Sequence, residues 1–130
     1  MKLTQALRMN YEFSRVYHKG RYLSGRYVVL HYLSRPGRIN RLGVTASRKI
    51  KGSVKRNRIK RLLRESYRLT EDQLAAGYDL ILVGRETADQ PDYQSVSRDV
   101  RRLLLKSGIC RAPGPEEDNQ PGQPDRSTGE

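Results

Sequence analysis

Cysteine is almost absent from this sequence. Cys110 is the single one, so no disulfide can form within the chain and no cysteine-based zinc site exists. A reducing compartment is expected, with Cys110 as a structural thiol at the end of the last helix rather than a nucleophile. No apolar run approaches the ~18 residues of a membrane span, and residues 1–10 lack the apolar core of a signal peptide. The expectation is a cytoplasmic protein with no membrane association. Acids are scarce too, 14 against 26 lysines and arginines, and nothing in their placement resembles a paired-carboxylate site, a metal-ligand cluster or a catalytic triad. No internal repeat is present.

What the chain has in excess is positive charge, and it is unevenly spread. Residues 111–130 hold two arginines, five acids, four prolines and three glycines, a composition that cannot repay the entropy of ordering. They are expected to form a disordered acidic tail beyond a domain at residues 1–110. That domain carries 24 Lys+Arg against 9 Asp+Glu, a charge of +15, which repels itself unless a polyanion neutralises it. Arginine supplies 19 of the 26 cations, and its planar fork clamps two phosphate oxygens or stacks on a base.

Local patterns predict the elements. Asn10 is a candidate cap for a helix over 10–19, with Phe13, Val16 and Tyr17 on one stripe and a stop at Gly20. Residues 26–33 are β-branched and aromatic, and a turn at Ser34-Arg-Pro-Gly37 separates them from a second strand over 41–47, which reads as an antiparallel hairpin. A short strand over 21–24 is allowed before it. A helix opens at Ser53 and runs to about Leu69, Gly77 lies in the following loop, and an apolar strand spans 78–84. The last helix follows Pro91, with Asp92 as its cap and Tyr93, Val96, Val100, Leu103 and Leu104 as its apolar stripe. This order does not alternate as a doubly wound sheet would, so an α+β sandwich is the expected class.

The helix from Ser53 is the most informative element. At ~100° per residue, Leu62 and Leu63 fall within about 60° of Ile59 and form a docking wedge. Asn57, Lys60, Arg61, Arg64 and Arg68 fall about 100° to 200° away, a continuous basic face, with Arg56 and Arg58 flanking the wedge. Solvated faces ordinarily mix signs; between Lys49 and Arg68, nine cations meet one acid, Glu65. A second helix across a short turn, needed for a helix-turn-helix, does not follow, so RNA fits better than a DNA groove. RNA binders add aromatic platforms for unstacked bases, and Phe13 with Tyr17 is a candidate pair. Tyr27, His31 and Leu33 share one face of their strand, with Val28, Leu30 and Tyr32 on the other, and periodicity leaves open which one is packed.

The run Lys55-Arg-Asn-Arg-Ile-Lys-Arg-Leu-Leu-Arg-Glu65 resembles the signature of the bacterial ribonuclease P protein component. Glu12-Phe-Ser-Arg-Val-Tyr-His-Lys-Gly20 and Leu42-Gly-Val-Thr-Ala-Ser-Arg-Lys49 are similar to the family's segments upstream of it, and the likeness extends from about Met1 to Gly108. It implies a two-layer α/β sandwich like domain 2 of ribosomal protein S5, with a left-handed β-α-β crossover around the basic helix. It also implies a protein that assists a catalytic RNA in cutting the 5′ leader from precursor tRNA. The resemblance further implies that the RNA holds the Mg²⁺ and the protein alone binds none, that the partners are ribonuclease P RNA and precursor tRNA, and that the free protein is monomeric. By position, Arg56, Asn57, Arg58 and Arg61 match residues associated with the catalytic RNA, and Arg48, Lys49 and Arg68 are expected to add phosphate contacts, although relatives more often have paired lysines at positions 48 and 49. Phe13, Tyr17, Lys60 and Arg64 match the cleft for the single-stranded leader, and His31 stands where relatives often have tyrosine. Two rivals remain. A ribosomal structural protein would co-sediment with ribosomal subunits, and a DNA regulator would dimerise on a duplex operator.

Overall fold

The computed structural model describes residues 4–110; the expected disordered tail lies outside them. In chain order the elements are β1 (Thr4–Ala6), α1 (Asn10–Lys19), β2 (Arg21–Ser24), β3 (Val28–Ser34), β4 (Asn40–Ala46), α2 (Ser53–Thr70), a 3-10 turn (Glu71–Gln73), β5 (Tyr78–Gly84) and α3 (Tyr93–Ser107). The strands form one mixed sheet in the order β1-β4-β5-β3-β2.

The order follows from burial. In β5, Leu80, Ile81 and Leu82 are all fully buried, so both faces and both edges of this strand need cover. It therefore takes the centre, antiparallel to β3 and parallel to β4. This corrects the expected hairpin of β3 with β4. Pairing those two directly would leave the most apolar strand at an edge, where its backbone would be unpaired; instead β5 inserts between them and α2 makes the parallel connection from β4. The short β1, parallel to β4, is a further departure: Thr4-Gln-Ala6 carries no strand pattern.

Side-chain alternation divides the core between two faces. Val28, Leu30, Leu42, Leu80 and Leu82 pack against Ile59, Leu63 and Tyr67 of α2 and Val96, Val100, Leu103 and Leu104 of α3. On the opposite face Ile81 packs with Leu7 and Val16, joined by Phe13, Leu33 and Val83. The basic helix thus covers the Val28–Leu30 face, and the His31–Leu33 face belongs to α1. The docking wedge extends one turn beyond expectation to Tyr67, fully buried, whose hydroxyl lies 2.9 Å from the Thr4 hydroxyl. Burial pushes the Tyr67 phenol up to about 12.

Helix ends are set by specific donors and acceptors. Asp92 accepts from the Ser95 amide at 2.8 Å and caps α3, which ends at Gly108 in the left-handed region. At α1 the expected cap is displaced by one residue: Met9 occupies the cap, Asn10 is already helical, and Glu12 reaches back to accept the Arg8 and Met9 amides, both at 3.0 Å.

Candidate nucleic-acid interface

The basic face of α2 is a solvent-facing ridge. Ile59 and Leu63 are buried beneath it, while Asn57, Arg61, Arg64 and Arg68 are exposed and Lys60 is half-buried. Arg68 pairs with Glu65 at 2.7 Å, so its charge is partly balanced within the helix. The two flanking arginines have structural partners that helical spacing could not reveal. Arg56 donates to the Ser47 carbonyl at 2.7 Å and the Ala46 carbonyl at 3.1 Å, tying the end of β4 to α2. Arg58 donates to the Pro91 carbonyl at 2.8 Å and ties in the loop before α3. Arg48 and Lys49 are exposed in the turn after β4. A recess of about 210 Å³ beside the helix start is lined by Lys51, Lys55, Arg58 and Arg85 together with the acids Glu86 and Asp89.

On the other face, α1 lies across one row of the sheet. Gly43, Ile81, His31 and Tyr22 are in register across β4, β5, β3 and β2. Phe13 sits over Gly43: a Cβ added there would lie 2.5 Å from the ring, so only glycine admits the ring at this depth. Val16 packs with Ile81. Tyr17 meets His31 edge-on, ring centroids 4.7 Å apart at 86°. Burial lowers the His31 pKa and raises that of Tyr17, so the imidazole is neutral at physiological pH. The next row, Thr45, Val83 and Val29, is only partly buried and forms an open floor beside these rings.

The ridge and the aromatic face meet around the sheet edge. Strand β1 pairs with β4 only from Asn40 to Leu42, and at this edge a recess of about 290 Å³ opens, walled by β1 itself and lined by Arg64, Leu42 and Val44 together with Phe13, Gly43 and Leu7. Arg64 and Phe13, from helices on opposite faces, thus line one cavity. Tyr17 and His31 form the neighbouring cluster, and Lys60 lies one turn from Arg64 without lining the recess.

A buried ion cluster holds α1 in this position. Asp79 is fully buried and accepts from Arg41 at 2.7 and 2.8 Å, from Arg35 at 2.7 Å and from Arg15 at 3.5 Å. Arg41 also donates to Glu12 at 2.6 Å, linking the start of α1 to the sheet. Burial alone would raise the Asp79 pKa, but the hydrogen bonds and charges of Arg41 and Arg35 outweigh it and the net shift is downward. Glu12 is also lowered, chiefly by the Met9 and Arg8 amides and less by Arg41. Sequence reasoning passed over this cluster, although one aspartate within the apolar run Tyr78-Asp-Leu-Ile-Leu-Val-Gly84 was a signal that cations must converge there. Among the described residues, no group of three or more His, Cys, Asp or Glu side chains is placed to hold a metal ion, and no helix is long and apolar enough to cross a membrane.

A mixed sheet with a cationic ridge behind it and half-exposed aromatic rings in front has the surface chemistry of an RNA-binding α+β protein. Comparison with known proteins narrows this class. The family model described as Ribonuclease P matches residues 1–108. The ribonuclease P protein component of Natranaerobius thermophilus is 46% identical over 105 residues, covering 81% of this chain and 91% of the relative. That of Clostridium botulinum strain Loch Maree is 43% identical over 104 residues, covering 79% and 94%. Among solved structures, the ribonuclease P protein from Staphylococcus aureus superposes with a TM-score of 0.69 at 26% identity, over 85% of this chain and 93% of the other. The protein from Thermotoga maritima shares the fold, with a TM-score of 0.70 at 24% identity over 78% and 96%. The chain belongs to the ribonuclease P protein family.

Proposed function

We propose that this chain binds the catalytic RNA of ribonuclease P and the 5′ leader of precursor tRNA together, and thereby directs removal of the leader. The observation that carries the proposal is the recess shared by Arg64 and Phe13, which offers a phosphate clamp and a base platform within one site. Asn57, Arg61 and Arg68, with Arg48 and Lys49, meet phosphates of the catalytic RNA. Arg56 and Arg58 add positive charge to that contact while holding the loops that frame it. Lys60 and Arg64 neutralise the leader backbone, and Phe13, Tyr17 and His31 receive its unstacked bases.

In this reading the chain's own residues bind, orient and discriminate. Mg²⁺ held by the RNA would supply the activated water for phosphodiester hydrolysis, and the residues of this chain would bind and position the substrate without reacting with it. A precursor gains the leader contacts and a mature product lacks them, so the substrate is favoured over the product that would otherwise occupy the complex. The free protein is taken to be a cytoplasmic monomer. The test is to deplete the protein in cells and map tRNA 5′ termini. Accumulation of leader-bearing tRNA is expected; normal 5′ ends together with defective ribosomal subunits would replace this reading with the ribosomal one.

A further inference from the structure

Tyr22 stands on the edge strand β2, opposite His31 in the antiparallel register with β3. Its ring centroid lies 5.7 Å from the imidazole with the planes tilted by 33°. The residue is 65% exposed. Its hydroxyl has no hydrogen-bond partner among the described residues. A cross-strand aromatic pair contributes modestly to a sheet, but that role needs neither this exposure nor a third ring. Here Tyr17, His31 and Tyr22 form one contiguous set on the α1 face. Neither contact is a closed parallel stack, so ring faces remain available.

We infer that Tyr22 is a base platform for the single-stranded leader, carrying the aromatic surface of Tyr17 and His31 to the outer edge of the sheet. The inference rests on the leader-cleft reading above. Three features support it. Residues 13–24 contain no acid, and Lys19 and Arg21, both exposed, lie close to Tyr22 along the chain, so long cationic side chains are within reach of a phosphate next to a stacked base. Base–aromatic stacking tolerates any base, which suits leaders of varied sequence. Finally, the row from Gly43 to Tyr22 crosses three interstrand spacings, about 14 Å, so Tyr22 and the Arg64 recess lie at opposite ends of the binding surface. A leader of growing length engages them at different points.

The experiment reconstitutes the full chain with the catalytic RNA of ribonuclease P and measures binding of precursor tRNAs whose leaders lengthen one nucleotide at a time, alongside leaderless tRNA. Tyr22→Ala is expected to lower affinity by about five- to a hundredfold for leaders longer than one threshold length and not for shorter ones, a threshold different from that of Arg64→Ala. It should leave leaderless tRNA unaffected, and Tyr22→Phe should retain wild-type binding. Equal loss for leaderless tRNA would make Tyr22 a folding or assembly residue and overturn the inference. If Tyr22→Ala binds every precursor as wild type does while Arg64→Ala loses leader preference, Tyr22 is excluded and the cleft reading survives. If neither variant changes leader preference, both fail.

Discussion

The Phe13 ring occupies the space that any side chain at residue 43 would need, with a Cβ at Gly43 falling 2.5 Å from its Cε1. Gly43→Ala must therefore push the ring off the sheet. The expected cost is about 1 to 3 kcal/mol, together with a loss of precursor affinity larger than any loss of catalytic RNA affinity. Thermal unfolding and the two binding assays check this; unchanged precursor binding by a folded Gly43→Ala protein would show that the position of Phe13 does not matter to the leader.

Asp79 anchors the same helix from beneath. Replacing it with asparagine leaves Arg35 and Arg41 without their buried anion, a change expected to cost about 3 kcal/mol in chemical denaturation. The folded pKa is lowered, so the stabilisation is complete above the ordinary value of 3.8 and disappears as pH falls through and below it. The wild-type advantage over Asp79→Asn should therefore be flat near neutrality and shrink in acid.

His31 titrates in a higher window. Its pKa is depressed from 6.5 by burial beside Tyr17 and Tyr22, so the unfolded chain takes up the proton first and the folded state loses stability as pH falls below 6.5. The stability of wild type relative to His31→Tyr is expected to be constant above 6.5 and to decline as pH falls below it. A pH-independent difference would show that the imidazole is not desolvated in solution.

Arg56 and Arg61 separate framework from surface on one helix. Arg56→Ala removes the donors to Ala46 and Ser47 and is expected to cost about 1.5 to 3 kcal/mol, with faster hydrogen exchange in the turn after β4. The exposed Arg61→Ala should change stability by less than about 0.5 kcal/mol while weakening RNA binding. Equal stability losses would mean that Arg61 has a packing role that its exposure conceals.

Periodicity made α1, α2, α3 and β5 legible, because each has an apolar stripe or run long enough to specify its own type. Strand partners were not legible in the same way. The turn after Ser34 makes β3 and β4 neighbours in sequence, and only the two-sided burial of Leu80, Ile81 and Leu82 dictates that β5 separates them. The ridge from Asn57 to Arg68 could be traced by azimuth alone, since exposure follows helical angle. The carbonyl partners of Arg56 and Arg58, the convergence on Asp79 and the meeting of Arg64 with Phe13 depend on how segments far apart in sequence are placed, and helical spacing carries no trace of them. Family resemblance assigned Phe13 and Arg64 to one cleft; the open β4 edge beyond Ala6 supplies the physical reason that helices on opposite faces can share it.

The most direct measurement compares the affinity of the reconstituted complex for leader-bearing and leaderless tRNA, with wild-type protein and with Lys60→Ala/Arg64→Ala, across a salt series. Wild type should prefer the precursor, and the double variant should lose most of that preference at physiological salt, with a shallower salt dependence for the precursor, each lost phosphate contact removing about 0.7 from the log–log slope. Equal affinity of wild type for both tRNAs, or an undiminished preference in the double variant, would contradict the account.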